Sequence, residues 1–174
     1  LRLGEVRLAS TNDANRLLLE MLAAMTNVRS WREIQQVTDG VGNVALSRFD
    51  LARPDRLHYR TDRSESVMIG SVQYLRDGSG PWTQRALPEP FSVSRYLASY
   101  VENARAVTLG RQAVCNDEPC RVLLWETSGG TAALAGWIGL RSHRLYRLFM
   151  TAESHYMTSR LTDFDAKVQI VPPR

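Results

Sequence analysis

Residues 106–140 read AVTLGRQAVCNDEPCRVLLWETSGGTAALAGWIGL, from Ala106 to Leu140. Three stretches rich in β-branched and apolar residues, Ala106–Cys115, Cys120–Thr127 and Thr131–Gly139, are separated by two turn clusters, Asn116–Pro119 and Ser128-Gly129-Gly130. Strand formers interrupted by short clusters of Asn, Asp, Gly, Ser and Pro predict consecutive antiparallel strands, because each reversal needs only a few residues that tolerate a turn. The longest apolar run, Ala132–Leu140, contains two glycines and falls far short of the roughly 18 residues a membrane-spanning helix needs.

The same pattern extends in both directions. Upstream, strand candidates are Ser30–Thr38, Asn43–Ala52, Arg56–Thr61, Val67–Arg76 and Trp82–Leu87; downstream, they are Arg144–Glu153, His155–Leu161 and Ala166–Val171. Two segments break the pattern. After Ser10-Thr11-Asn12-Asp13, all good N-cap residues, apolar side chains fall at Ala14, Leu17, Leu18, Met21, Leu22 and Met25, one face of a helix. After Pro88 and Pro90, with Ser92 as the cap, the same spacing recurs at Val93, Tyr96, Leu97, Tyr100, Val101 and Ala104.

About eleven strands and two amphipathic helices make an α+β chain. A sheet of this size cannot stay flat, because strand twist accumulates. The expected fold is a strongly curved antiparallel half-barrel of about 10–11 strands, covered by two or more helices whose apolar stripes face its inside. A barrel wider than eight strands leaves room within, so a hydrophobic cavity is expected.

The chain has 174 residues, 44% apolar and 23% charged, the ordinary usage of one globular domain. Lys and Arg number 22 against 18 acids, and Lys167 is the single lysine. The arginines are scattered and never run three together, which reads as a solvated, mildly basic surface with no nucleic-acid site.

Chemistry-bearing residues are few. GxGxxG, Walker A, HExxH and GxSxG motifs are absent, and Asp163 and Asp165 flank a Phe as in a simple turn, so no catalytic residue and no cofactor is expected. Cys115 and Cys120 would lie directly opposite each other across a four-residue hairpin loop, close enough for a disulfide and hence an oxidising compartment; free thiols, or a metal pair lacking its other ligands, are the alternatives. His155 and Met157 would share one strand face, a soft donor pair that could hold copper, although such Met residues are usually core filler.

Several local signatures, taken in order, resemble the LolA/LolB-like superfamily of extracytoplasmic lipid and lipoprotein carriers, together with the related mycobacterial lipid-binding lipoproteins. These are the opening helix leading into Ser30-Trp31, Arg53-Pro54-Asp55-Arg56-Leu57, Asp77-Gly78 followed by Trp82, Trp137-Ile138, and Thr162-Asp163-Phe164-Asp165 with Ile170 and Pro172-Pro173. Two positions depart from the pattern: His58 stands where the superfamily carries Arg, and Gly139 where it carries Asp.

The resemblance implies one LolA-like domain over residues 1–174, with 1–10 a linker from an upstream segment, since the chain opens on Leu1 without Met. It also implies a non-catalytic, extracytoplasmic module, in the periplasm or on the outer face of the cell membrane, that binds a lipid or the acyl chain of a lipoprotein. The expected wall of its cavity is Leu18, Met21, Leu22, Met25, Trp31, Phe49, Tyr74, Val93, Leu97, Val101, Trp125 and Trp137. The alternative is a soluble interaction or sensor domain of a larger membrane protein, linked to copper through His155 and Met157, with a membrane protein or membrane anchor encoded upstream.

Overall fold

The computed structural model describes residues 11–127 and 130–174; the expected linker at 1–10 and the turn residues Ser128 and Gly129 lie outside them. The chain order is α1 (Asn12–Asn27), β1 (Ser30–Thr38), β2 (Val44–Ala52), β3 (Arg56–Arg60), β4 (Ser64–Ile69), β5 (Val72–Asp77), β6 (Thr83–Ala86), α2 (Val93–Ala98), β7 (Arg105–Cys115), β8 (Glu118–Glu126), β9 (Ala132–Gly139), β10 (Leu145–Ala152) and β11 (Tyr156–Thr162). Thr11 caps α1 by accepting the Ala14 N–H, and Ser92 caps α2 by accepting that of Arg95. No described helix is long and apolar enough to cross a membrane.

All eleven strands form one open antiparallel sheet in the order β6-β5-β4-β3-β2-β1-β11-β10-β9-β8-β7. It consists of two meanders, β1–β6 and β7–β11, joined where β1 pairs with β11 from Arg32↔Thr162 to Thr38↔Tyr156. The edges are β6 and β7, so the segment carrying α2 must travel from one edge to the other.

That crossing requires the sheet to curl. The Val93 N–H bonds the carbonyl of Pro54, just before β3, and the Tyr100 carbonyl accepts the indole N–H of Trp125 on β8 at 2.8 Å. In a flat sheet, β3 and β8 would be separated by six spacings, roughly 29 Å. Residues 93–100, in helical and turn conformation, cover only about 10 Å. The gap closes when the sheet wraps around its helices.

Three expectations need correction. Val67–Arg76 is not one strand: Gly70, at φ +56°, turns the chain between β4 and β5. Ala166–Val171 is not a strand: the tail is held by the Ser30 hydroxyl on the Ala166 carbonyl and by Arg56 on the Ile170 carbonyl, rather than by a ladder. The second helix ends at Ala98, although turn hydrogen bonds carry its apolar face on to Ala104.

Strand parity separates the two faces of the sheet. Trp31, Glu33, Gln35 and Val37 point toward the helices; Arg32, Ile34 and Gln36 point to the open face. The main core lies on the helix-covered face and joins both helices to both meanders.

Candidate functional site

The helix-covered face begins as a tightly packed core. Met21, Met25, Trp31 and Val93 are 0% exposed, so no space large enough for water borders them. Leu18, Phe49, Leu97 and Trp125 retain only slivers of surface. Around this nucleus, Leu22, Val37, Tyr59, Met68, Val101 and Met150 pack against the core but remain half-buried. Beside α2, Met68, Leu87, Pro90, Phe91 and Tyr96 line a groove of about 300 Å³. Of the twelve residues expected to line one cavity, the structure brings ten to this face.

Tyr74 and Trp137 are the other two. Tyr74 pairs with Val67, which pairs with His58, which pairs with Asp50, which pairs with Arg32, all on the open face. Trp137 is out of phase with Leu134, Gly136 and Ile138, and it borders an open-face cavity instead. Register alone sets the parity that puts Tyr74 and Trp137 on the open face, and aromatic character does not reveal it.

A polar cluster sits within the apolar face. The Glu33 carboxylate, 2% exposed, accepts the Tyr96 hydroxyl at 3.0 Å. The Gln35 amide lies 3.3 Å from the Ser159 hydroxyl and 3.4 Å from both the Tyr100 hydroxyl and Glu33. Burial raises the pKa of Glu33 above the ordinary carboxylate range, and the hydrogen bonds from Ser159 and Tyr96 only partly offset it. Burial and the nearby Glu33 raise the Tyr96 pKa well beyond that of an ordinary tyrosine, so it stays a donor. Glu33 could be recognised from sequence as an acid on the apolar parity of β1, which marks a group buried with partners.

Arg53 ties the two helices together. Its guanidinium bonds the carbonyls of Val28 at 2.8 Å and Met25 at 3.0 Å at the end of α1, and the Ser94 hydroxyl on α2 at 2.5 Å. The Arg53-Pro54 signature thus sits where the cover is fastened to the sheet.

Gly139, the departure from the superfamily pattern, has a spatial explanation. A Cβ there would lie 2.5 Å from the Glu118 carboxylate. That carboxylate accepts the Ser142 hydroxyl at 2.5 Å, the Tyr146 hydroxyl at 2.6 Å, and the backbone N–H groups of Arg141 and Ser142. Burial alone would raise its pKa, but the hydrogen bonds outweigh it and bring the value down to about 2. An acid from the neighbouring strand occupies the space beside residue 139.

Cys115 and Cys120 form a disulfide with a Cα separation of 5.8 Å. The loop is shorter than expected: Cys115 pairs with Glu118, Cys120 pairs with Ala113, and Asn116-Asp117 alone makes the turn, with Asn116 at φ +48°. The bridge is therefore diagonal rather than directly cross-strand. The expected copper pair is not assembled, because Met157 is buried in the main core while His155 lies before β11 and contacts the Ser154 hydroxyl. Asp165 fastens the tail by accepting the Arg29 N–H at 2.8 Å and Arg144 at 2.6 Å.

No protein-family model matches the chain, and no curated protein matches it by sequence. Solved structures do match. Mycobacterium tuberculosis lipoprotein LppX, 12% identical, superposes with a TM-score of 0.70 over 93% of this chain and 100% of its own. LprF from Mycobacterium bovis, 11% identical, gives 0.70 over 95% and 99%. The complex of Pseudomonas aeruginosa MucA and MucB, 12% identical, gives 0.51 over 91% of this chain and 63% of that one. An open eleven-stranded antiparallel sheet wrapped over its own helices is thus a fold this chain shares with LppX and LprF.

Proposed function

We propose that the chain is a single-domain, non-catalytic module that binds a hydrophobic ligand, a lipid or the acyl chain of a lipoprotein, outside the cytoplasm. The observation that carries this reading is the mostly apolar groove beside α2, lined by Met68, Leu87, Phe91 and Tyr96 with Glu89 and Arg95 also bordering it, on the helix-covered face of a fold shared with the lipoprotein LppX. An acyl chain entering there leaves water at roughly 25 cal/mol per Å² of apolar surface buried. Met21, Met25, Trp31 and Val93 are already close-packed, so a long chain gains further room only if the helices shift. The disulfide supports an oxidising location, the periplasm or the outer face of the cell membrane.

Native mass spectrometry after mild purification, with uptake of a fluorescent fatty acid, tests the reading. Retained lipid or saturable uptake is the expected result; absence of both overturns it.

A second reading is a soluble interaction domain of, or partnered with, a membrane protein; the likeness to a structure of MucB in complex with MucA supports the interaction part alone. Pull-down of one defined membrane protein by a chain that takes up no lipid would favour it over the first.

A further inference from the structure

On the open face, the register aligns one row of side chains across six strands. Trp137 stands opposite Arg147, Arg147 opposite Arg160, Arg160 opposite Ile34, Ile34 opposite Arg48, and Arg48 opposite Arg60. Two of these neighbours are Arg–Arg pairs placed directly opposite, an arrangement that works against folding. Arg60 bonds Asp50 at 2.9 Å, but Arg48, Arg147 and Arg160 have no ion-pair or hydrogen-bond partner among the described residues. In the adjacent row Arg32 has two carboxylate partners, Asp50 (shared with Arg60) and Asp163, each at 3.2 Å. The unbalanced row is therefore a local feature rather than a property of the whole face.

Apolar side chains accompany the arginines. Ile34 is 48% exposed and Leu46 46% exposed. Together with Trp137, Phe149, Arg147 and Arg160 they border a cavity of about 400 Å³. Guanidinium groups bind phosphate in a bidentate fork, and a Trp among aliphatic side chains suits the boundary between water and acyl chains. Nucleic acid would supply phosphates but no apolar phase for Ile34 and Leu46; an anionic bilayer supplies both.

We propose that this face docks on the surface of an anionic phospholipid bilayer, with Arg48, Arg147 and Arg160 on headgroup phosphates and Ile34, Leu46 and Trp137 in the interfacial layer. The docking face is the side of the sheet away from the helices, so this inference stands apart from what the helix-covered face binds. Arg147 and Arg160 trade native-state repulsion for attraction to the membrane.

Flotation with vesicles of phosphatidylcholine alone, and with roughly one-third phosphatidylglycerol, tests it. The protein is expected to float with the anionic vesicles at least about tenfold more tightly than with neutral ones, and to be released at about 0.5 M salt. R147E places a carboxylate opposite Arg160. It is expected to weaken vesicle binding about tenfold while its thermal midpoint stays the same or rises, a pairing that mere structural damage does not produce. The double variant R105E/R111E, on the edge strand β7, is expected to retain binding despite a larger change of charge, and Ile34→Ser with Leu46→Ser to weaken binding with no change of charge. Equal binding to both vesicles, no binding to either, equal loss in R105E/R111E, or capture of an acidic polypeptide or duplex DNA without vesicle binding would each overturn the proposal. Fatty-acid uptake by R147E, expected unchanged, keeps this result separate from the test of the carrier reading.

Discussion

The Tyr96 hydroxyl on α2 donates to the Glu33 carboxylate on β1 across 3.0 Å, and both groups lie inside an otherwise apolar face. This bond is a polar tie between the helical cover and the middle of the sheet. Its strength depends on the charge state of Glu33.

Glu33 should make stability fall as pH rises. Burial raises its folded pKa above the ordinary 4.5, so its contribution is fully present below that value and is lost as pH rises through the folded pKa. Urea midpoints measured from pH 4.5 to 8 should decline in the wild type, and Glu33→Gln should flatten that decline. An unchanged slope in the variant would show that Glu33 is not its source.

Glu118 should act in the opposite sense and in a different window. Its folded pKa is depressed to about 2, so its stabilisation is present above 4.5 and is lost as pH falls toward 2. The effect amounts to about 3 kcal/mol at most. Gly139→Ala should expel the carboxylate, destabilise the protein at pH 7 by about 2 kcal/mol, and remove most of the acid limb measured by thermal unfolding.

Much of the fold is legible in the sequence, though for unequal reasons. Both helix caps and Ser30–Thr38 follow directly from local chemistry. The count of eleven strands survives because two errors cancel: a single Gly70 was too weak a signal to divide 67–76, and 166–171 has strand composition but uses its polar groups on Ser30 and Arg56 side chains. The apolar nucleus was legible from helical spacing. The arginine row was not, because Arg48, Arg60, Arg147 and Arg160 meet only once five strands are in register. Parity also decides the fate of Trp137 and Met157, which composition cannot anticipate.

Arg53→Ala should loosen both helices at once. It removes charged hydrogen bonds to two α1 carbonyls and to Ser94, a loss of about 1.5–3 kcal/mol by chemical denaturation. Hydrogen exchange should rise at the end of α1 and the start of α2 before it rises in β8–β10.

Reduction of Cys115–Cys120, or its replacement by Cys115→Ser with Cys120→Ser, should cost about 2 kcal/mol, as expected for so short a closed loop. The unfolding transition of the reduced protein should move to lower urea with little change in slope.

Under the carrier reading, Met68→Trp should obstruct the groove beside α2 and lower fatty-acid uptake severalfold, whereas Trp137→Ala on the opposite face should leave uptake unchanged. Equal losses in both would remove the groove as the entry point.

The seam between β1 and β11 joins residues near the two ends of the described chain, Arg32 and Thr162 among them. Hairpins within each meander can zip early, but closure of the seam waits until the last strand has been synthesised, since distant pairings are slow to assemble. Until that moment Glu33 and Met157 lack their neighbours across the join. A chain still being made therefore keeps the apolar surface along that join uncovered until β11 is in place.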